Sequence, residues 1–351
     1  MIERHATHLM LRPEDIRPSH PDFEVIGVFN PGVVQHGDKT VILARVAERP
    51  LEQRPGWTAH PRWSATDGYA VDWVENRHCE ATDPRVVRHR ITGLVRLTFI
   101  SHLRVVYSYD GHTIDNLDGA MFLPANEMEE YGLEDPRITR IDDRFYITYV
   151  AVSRHGPATA LASTTDFKTI ERHGVIFCTE NKDVVLLPEQ IDGEYVAIHR
   201  PVGDMPFSRP EMWTARSPDL IHWGQHQYFF GGASDWADGR VGAGAPPIAV
   251  PEGWLEIYHG NRSPEVVGEV GAYCAGAMLM DRDDPTRVLK VARQPILQPE
   301  MEFENDGFVN KVVFPTGVVA ADDRLLIYYG ASDKYCAMAE VSRDDVMRSL
   351  E

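Results

Sequence analysis

The chain is short of cations, cysteines, long apolar runs and helical periodicity, and each shortage removes a class of protein. Lys and Arg number 35 against 53 Asp and Glu, a formal charge of −18, which argues against polyanions such as nucleic acid or an acidic membrane surface as partners. An anion site in such a protein must be local and concave. Four cysteines, Cys79, Cys178, Cys274 and Cys336, lie far apart, with no CxxC or His-rich spacing. Neither a disulfide framework nor a structural metal site is expected from them. Cys274 and Cys336 sit in runs of small and apolar residues, which suits core thiols better than nucleophiles. No run approaches the ~18 consecutive apolar residues of a membrane span, and Met1 to His5 opens no signal-peptide core. The expected location is cytoplasmic.

What is present is strand patterning, and it repeats. Residues 1–22, with Pro13 and Pro18 and no sustained period, read as an irregular arm. From Phe23 onward one unit recurs: an acidic or glycine turn, an aromatic-rich strand, a polar break, then a strand of small residues. The turns are Asp142-Asp143, Asp192-Gly193, Glu252-Gly253 and Asp322-Asp323, and they advance by about 50, 60 and 70 residues. The runs from Lys39 to Val46 and from Leu94 to Tyr109 supply one more unit. A second echo is a hydroxyl residue, any residue, then Asp, at Ser108, Thr164 and Ser217. Only Ser342 to Leu350 has the look of a capped helix. The expected fold is all-β: a five-bladed β-propeller over 23–341, interrupted by an insertion at 57–90, with the irregular arm before it and a short C-terminal helix at 342–351.

A propeller brings equivalent strand ends of successive blades into one funnel. The residues to collect are therefore Asn30, Arg45, Glu134, Asp135, Lys182, Arg200, Arg240, His259, Tyr273 and Asp333. Taken alone, Glu134-Asp135-Pro136-Arg137 is an acidic turn whose carboxylates accept backbone N–H bonds. Lys182 heads a nearly apolar strand, where a cation needs a counter-ion from the protein or a substrate. Arg200 can be an ion-pair partner or an anion ligand. Arg240 precedes Gly242-Ala243-Gly244, where close backbone approach to a ligand is possible; Pro246-Pro247 follows instead of a helix, so this is no dinucleotide fingerprint. Four basic groups at corresponding blade ends would repel one another unless a dianion lay between them.

The set Phe29-Asn30-Pro31, Glu134-Asp135-Pro136-Arg137, Asn181-Lys182-Asp183, His199-Arg200-Pro201, Ser217-Pro218-Asp219-Leu220, Gly242-Ala243-Gly244, Tyr258-His259-Gly260 and Gly330-Ala331-Ser332-Asp333 resembles glycoside hydrolase family 130. That family comprises the β-mannoside phosphorylases and related β-mannosidases. The resemblance runs over about residues 23–341 and implies a general acid at Asp135, acting through the mannose 3-hydroxyl. It implies phosphate ligands at Lys182, Arg200, Arg240, His259 and Tyr273, and substrate contacts at Asn30, Arg45, Glu134 and Asp333. Arg137 reads as a residue that holds the turn.

An inverting hydrolase would need a second carboxylate roughly 6.5–9.5 Å from the acid to activate water. Phosphate brings its own charge and needs only cations and donors to position it. The basic set opposite Asp135 therefore favours phosphorolysis of a β-mannoside, with β-1,2-mannobiose or a β-1,2-oligomannoside as substrate, inorganic phosphate as co-substrate and no cofactor. Alternatives are an inverting β-mannosidase and a non-catalytic sugar-binding propeller. The insertion, with Trp57, Trp63, Trp73 and the triplet Asp83-Pro84-Arg85, can cover the aglycone side, pack into the core or form a homo-oligomer contact.

Overall fold

The computed structural model describes residues 2–83, 85–202, 209–232, 234–263 and 270–351. It is all-β: apart from single-turn pieces, its only helices among the described residues are Glu302–Asn305 and Arg343–Arg348. The second is capped by the Ser342 hydroxyl, which accepts from the Asp345 N–H at 3.3 Å, so the expected terminal helix is present.

Four larger sheets follow one another along the chain, mostly as antiparallel meanders. One contains Phe23–His36, Lys39–Pro50, Ile100–Ser108 and the run of strands from Gly132 to Phe177; its two halves meet through the parallel pair Gly132 and Ser101. The next spans Asn181–Leu186 to Gly224–Phe230, and the third Val241–Ala243 to Val288–Val291. The last holds Val313–Ala321, Arg324–Ala331 and Tyr335–Ser342.

The recurring sequence signals are the hairpin chemistry of these sheets. Asp142, Asp192 and Asp322 take left-handed backbone, with φ of 52°, 54° and 51°, a conformation short polar residues tolerate best after glycine. Asp110, Asp166 and Asp219 each accept backbone N–H bonds from two following residues, among them His112, Lys168 and His222. Apolar faces of neighbouring sheets then pack together. Leu255 and Ile257 of one sheet share a core with Leu325, Ile327, Ala337 and Ala339 of the next, each large side chain contributing about 1.5–3 kcal/mol on burial.

Residues 4–11, read from sequence as part of an irregular arm, instead form the strand Arg4–Leu11, paired antiparallel with Tyr335–Ser342 from Arg4 opposite Val341 to Leu11 opposite Cys336. It is an edge strand, half-exposed over most of its length, and so lacks the alternation that would have announced it. The insertion forms the hairpin Trp57–Ser64 with Gly68–Glu75, then three strands, Cys79–Asp83, Val86–His89 and Val95–Leu97. Of the triplet noted there, Pro84 lies outside the described residues.

Candidate active site

The site is built on a device used three times. In the strands Phe23–His36, Gly132–Ile141 and Asn181–Leu186, the pairing register slips at Phe29/Gly32, Glu134/Arg137 and Lys182/Val185. Each slip holds one short polar residue with left-handed backbone: Asn30, Asp135 and Asp183, with φ of 47°, 48° and 55°. A bulge re-aims the side chain at that point in the strand. All three line one cavity of about 240 Å³.

Around Asp135 the contacts are buried and charge-assisted. Its Oδ1 accepts from Asn30 Nδ2 and from Arg45 Nη1, both at 2.8 Å. The other end of the Arg45 guanidinium donates to Glu134 Oε1 at 2.6 Å and, through Nε, to the Ser101 hydroxyl at 3.2 Å. The Phe29 ring lies 4.6 Å beneath the guanidinium. Burial pushes the Asp135 carboxyl up, but Arg45, Arg137 and the Asn30 amide together outweigh it and hold the acid below its ordinary value. Without ligand, Asp135 is a carboxylate.

A second knot surrounds Asp183, which the sequence reading passed over. Its carboxylate lies 2.5 Å from Arg200 Nη1, 3.1 Å from Arg137 Nη2 and 3.3 Å from His259 Nε2. Burial raises this acid, yet Arg200, His259 and Arg137 hold it well below the usual carboxylate range. The mutual repulsion expected among the basic residues is thus met in part by the protein itself, not by a bound dianion alone. Arg137 also donates to the carbonyls of Asp135 and Gly244, at 3.0 and 3.1 Å. It therefore ties the Asp135 bulge to Asp183, the structural part read for it.

His259 is fully buried behind this knot, with Phe314 4.1 Å from its ring, and does not line the cavity. Burial, the largest influence, holds its imidazole below the ordinary range despite Asp183. The other nine residues collected from the sequence all line the cavity. Lys182 and Arg240 stand apart among them, because among the described residues neither side chain has a carboxylate partner. Both also line an adjoining cavity of about 570 Å³ walled by Val86, by Gly93 to Leu97 and by Ser153 to Pro157. Together the two spaces match the size of pockets that hold small-molecule ligands.

On the remaining wall, Asp333 accepts from Arg85 Nη1 at 2.6 Å. Burial, with Asp135 and Glu134 near, pushes Asp333 above its ordinary value against Arg85 and Arg45. Arg85 comes from the insertion, which therefore forms part of the site, while Trp57, Trp63 and Trp73 line neither cavity. The signal for Arg85 was the repeated Asp-Pro-Arg triplet; nothing local marked its partner. For Asp183 the signal was its place in Asn181-Lys182-Asp183, matching Asn30 and Asp135 in successive inner strands. The Asp135 carboxylate, a cationic knot only partly offset by Asp183 and, among the described residues, two cations without a carboxylate partner thus face the same space, an arrangement suited to an anionic co-substrate.

Comparison with known proteins agrees in kind. A family model described as beta-1,4-mannooligosaccharide phosphorylase matches residues 79–351. Over its whole length the chain is 37% identical to a beta-1,2-mannobiose phosphorylase of Listeria innocua, covering 98% of that protein. It is 35% identical to a 1,2-beta-oligomannan phosphorylase of a Thermoanaerobacter species, over 71% of this chain and 81% of the relative. The solved structure of the Listeria innocua beta-1,2-mannobiose phosphorylase in complex with beta-1,2-mannobiose superposes with a TM-score of 0.90, covering 97% of this chain and 96% of that one.

Proposed function

The chain belongs to glycoside hydrolase family 130, and from that membership we propose that it is an inverting phosphorylase that cleaves β-1,2-linked mannosides with inorganic phosphate, reversibly, to release α-mannose 1-phosphate. The preference for the 1,2 linkage rests on the relative matched over the whole chain. The sheets are read as five blades around the cavity. Phe23–His36 to Ile100–Ser108 form the first, Gly132–Ile141 to Glu171–Phe177 the second and Asn181–Leu186 to Gly224–Phe230 the third. Val241–Ala243 to Val288–Val291 form the fourth, and Val313–Ala321 to Tyr335–Ser342 the fifth, which Arg4–Leu11 completes.

In this proposal the mannose unit to be transferred lies against Asn30, Arg45, Glu134 and Asp333. Phosphate enters between Lys182, Arg200, Arg240 and Tyr273, with His259 behind Arg200 as a support. A phosphate oxygen forms the new bond to the anomeric carbon as the glycosidic bond breaks on the opposite face. Asp135 supplies the proton that the leaving oxygen takes up, relayed through the mannose 3-hydroxyl. Phosphate is the only further reactant invoked. A sugar phosphate crosses an apolar bilayer poorly, so the proposal places the enzyme in the cytoplasm.

The observation that carries the reading is the pair of cations, Lys182 and Arg240, that have no carboxylate partner among the described residues and line the cavity that holds Asp135. Asp183, a carboxylate of this cavity, is tied to two guanidiniums and is too weak a base to activate water. The test is incubation with β-1,2-mannobiose with and without inorganic phosphate. Mannose 1-phosphate forming only with phosphate supports the proposal; free mannose released equally fast in both overturns it.

A further inference from the structure

We propose that Asp183 is a positioning residue of the phosphate site: it fixes Arg200 for the incoming phosphate and offsets part of the positive charge of Arg200 and Arg137, so that Arg200 can take up the dianion together with Lys182 and Arg240. This rests on the phosphorylase reading above and assigns a part to a residue that reading leaves without one.

The first support is positional. Asp183 occupies the same left-handed bulge as Asn30 and Asp135, so the backbone presents it to the same cavity, which it lines. A residue placed there only for packing would need no carboxylate, and burying one is costly without partners. The second support is the partner set. Arg200, itself buried, is held on Asp183 at 2.5 Å while lining both adjoining cavities. A guanidinium so anchored keeps other N–H groups available and loses little freedom when an anion arrives.

The third support comes from across the cluster. A Cβ on Gly242 would lie 2.7 Å from Asp183 Oδ2 and 2.7 Å from His259 Nε2. No side chain fits there unless the carboxylate or the His259 ring moves, so the bare backbone at Gly242 is part of what seats the pair. Finally, Arg137 links the other Asp183 oxygen to the Asp135 carbonyl. The acid's bulge and the phosphate cations therefore share one anchor.

The experiment compares Asp183→Asn and Gly242→Ala with the wild type in phosphorolysis of β-1,2-mannobiose, varying phosphate and mannobiose separately. Asparagine suits left-handed backbone as well as aspartate does, so the first variant removes charge and leaves the bulge. The second leaves every charge and disturbs the seat of the Asp183 carboxylate against His259. The expected result is a KM for phosphate raised roughly tenfold or more in Asp183→Asn, the scale of one charge-assisted contact, with a smaller rise in Gly242→Ala. The KM for mannobiose should stay within about twofold. Should Asp183→Asn fail to fold, Gly242→Ala decides alone. Folded variants with an unchanged phosphate KM, or with both KM values raised equally, overturn the proposal. A wild type that turns over equally well without phosphate overturns the phosphorylase reading beneath it.

Discussion

Nη1 of Arg45 stands 2.8 Å from Oδ1 of Asp135, with both side chains buried. The residue proposed as proton donor therefore rests as an anion, and a ligand must protonate it. A bound phosphate does this electrostatically, because a second negative charge in the same cavity disfavours the carboxylate and raises the Asp135 pKa. The basic limb of kcat, which reports the ligand-bound enzyme, should thus lie at higher pH than that of kcat/KM, which reports the free enzyme. Full pH profiles for both parameters check it; limbs that coincide would sink the idea.

Asp135→Asn should keep the fold, since asparagine accepts the left-handed conformation at this bulge. Its phosphorolysis should fall by about 10²–10⁴, the usual range for loss of general acid catalysis. A circular dichroism spectrum and a single-turnover assay decide between lost chemistry and lost structure.

Lys182→Ala and Arg240→Ala remove cations that have no carboxylate partner among the described residues. Stability should change by no more than about 0.5 kcal/mol, while the KM for phosphate rises. Arg45→Ala should behave in the opposite way. It strands Glu134 and Asp135 as buried charges and should cost about 3–5 kcal/mol, read by denaturant unfolding.

Arg85→Ala should raise the KM for the mannoside and leave that for phosphate near the wild-type value, because its partner Asp333 lines the cavity on the wall proposed above for the sugar. The pair is partly exposed, so the stability cost should stay at or below about 1 kcal/mol. A rise confined to the phosphate KM would contradict the proposed sugar wall.

Glu256 offers a prediction about pH and stability. It is fully buried, and burial pushes its carboxyl well above the ordinary value despite the Gly244 N–H and Arg137. Above the unfolded pKa of about 4.3 the folded chain then holds a proton that the unfolded chain has released. This contribution is full below that pKa and is lost as pH rises. Between pH 5 and 7 the stability of the wild type should fall relative to Glu256→Gln by up to about 1.4 kcal/mol per pH unit. Urea unfolding of both proteins across that window measures the slope.

Much of the site was legible because its residues sit where local chemistry leaves a mark. Asp135 follows a glycine and an acid and precedes a proline; Lys182 and Arg240 are cations beside apolar or small residues. What escaped notice depends on pairings remote in sequence. The Asp183 carboxylate looks like a turn residue until Arg200, His259 and Arg137 are seen around it. The phosphate part for His259 came from the family resemblance; its burial behind Phe314 is set by the neighbouring sheet and has no local mark. The strand Arg4–Leu11 was lost for the same reason, its partner being at the far end of the chain.

That pairing also constrains the order of events during synthesis. The strand Arg4–Leu11 is synthesised long before Tyr335–Ser342 and must wait for it before its hydrogen bonds can form. Arg4 likewise waits for Glu304, 300 residues later. Contacts so remote in sequence close late, after the loop entropy has been met by other structure. Asp333 stands in the turn that leads into Tyr335–Ser342, so the sugar wall is completed in the same late step. A growing chain with Asn30, Asp135 and Asp183 already in place would still lack the wall proposed above to hold mannose.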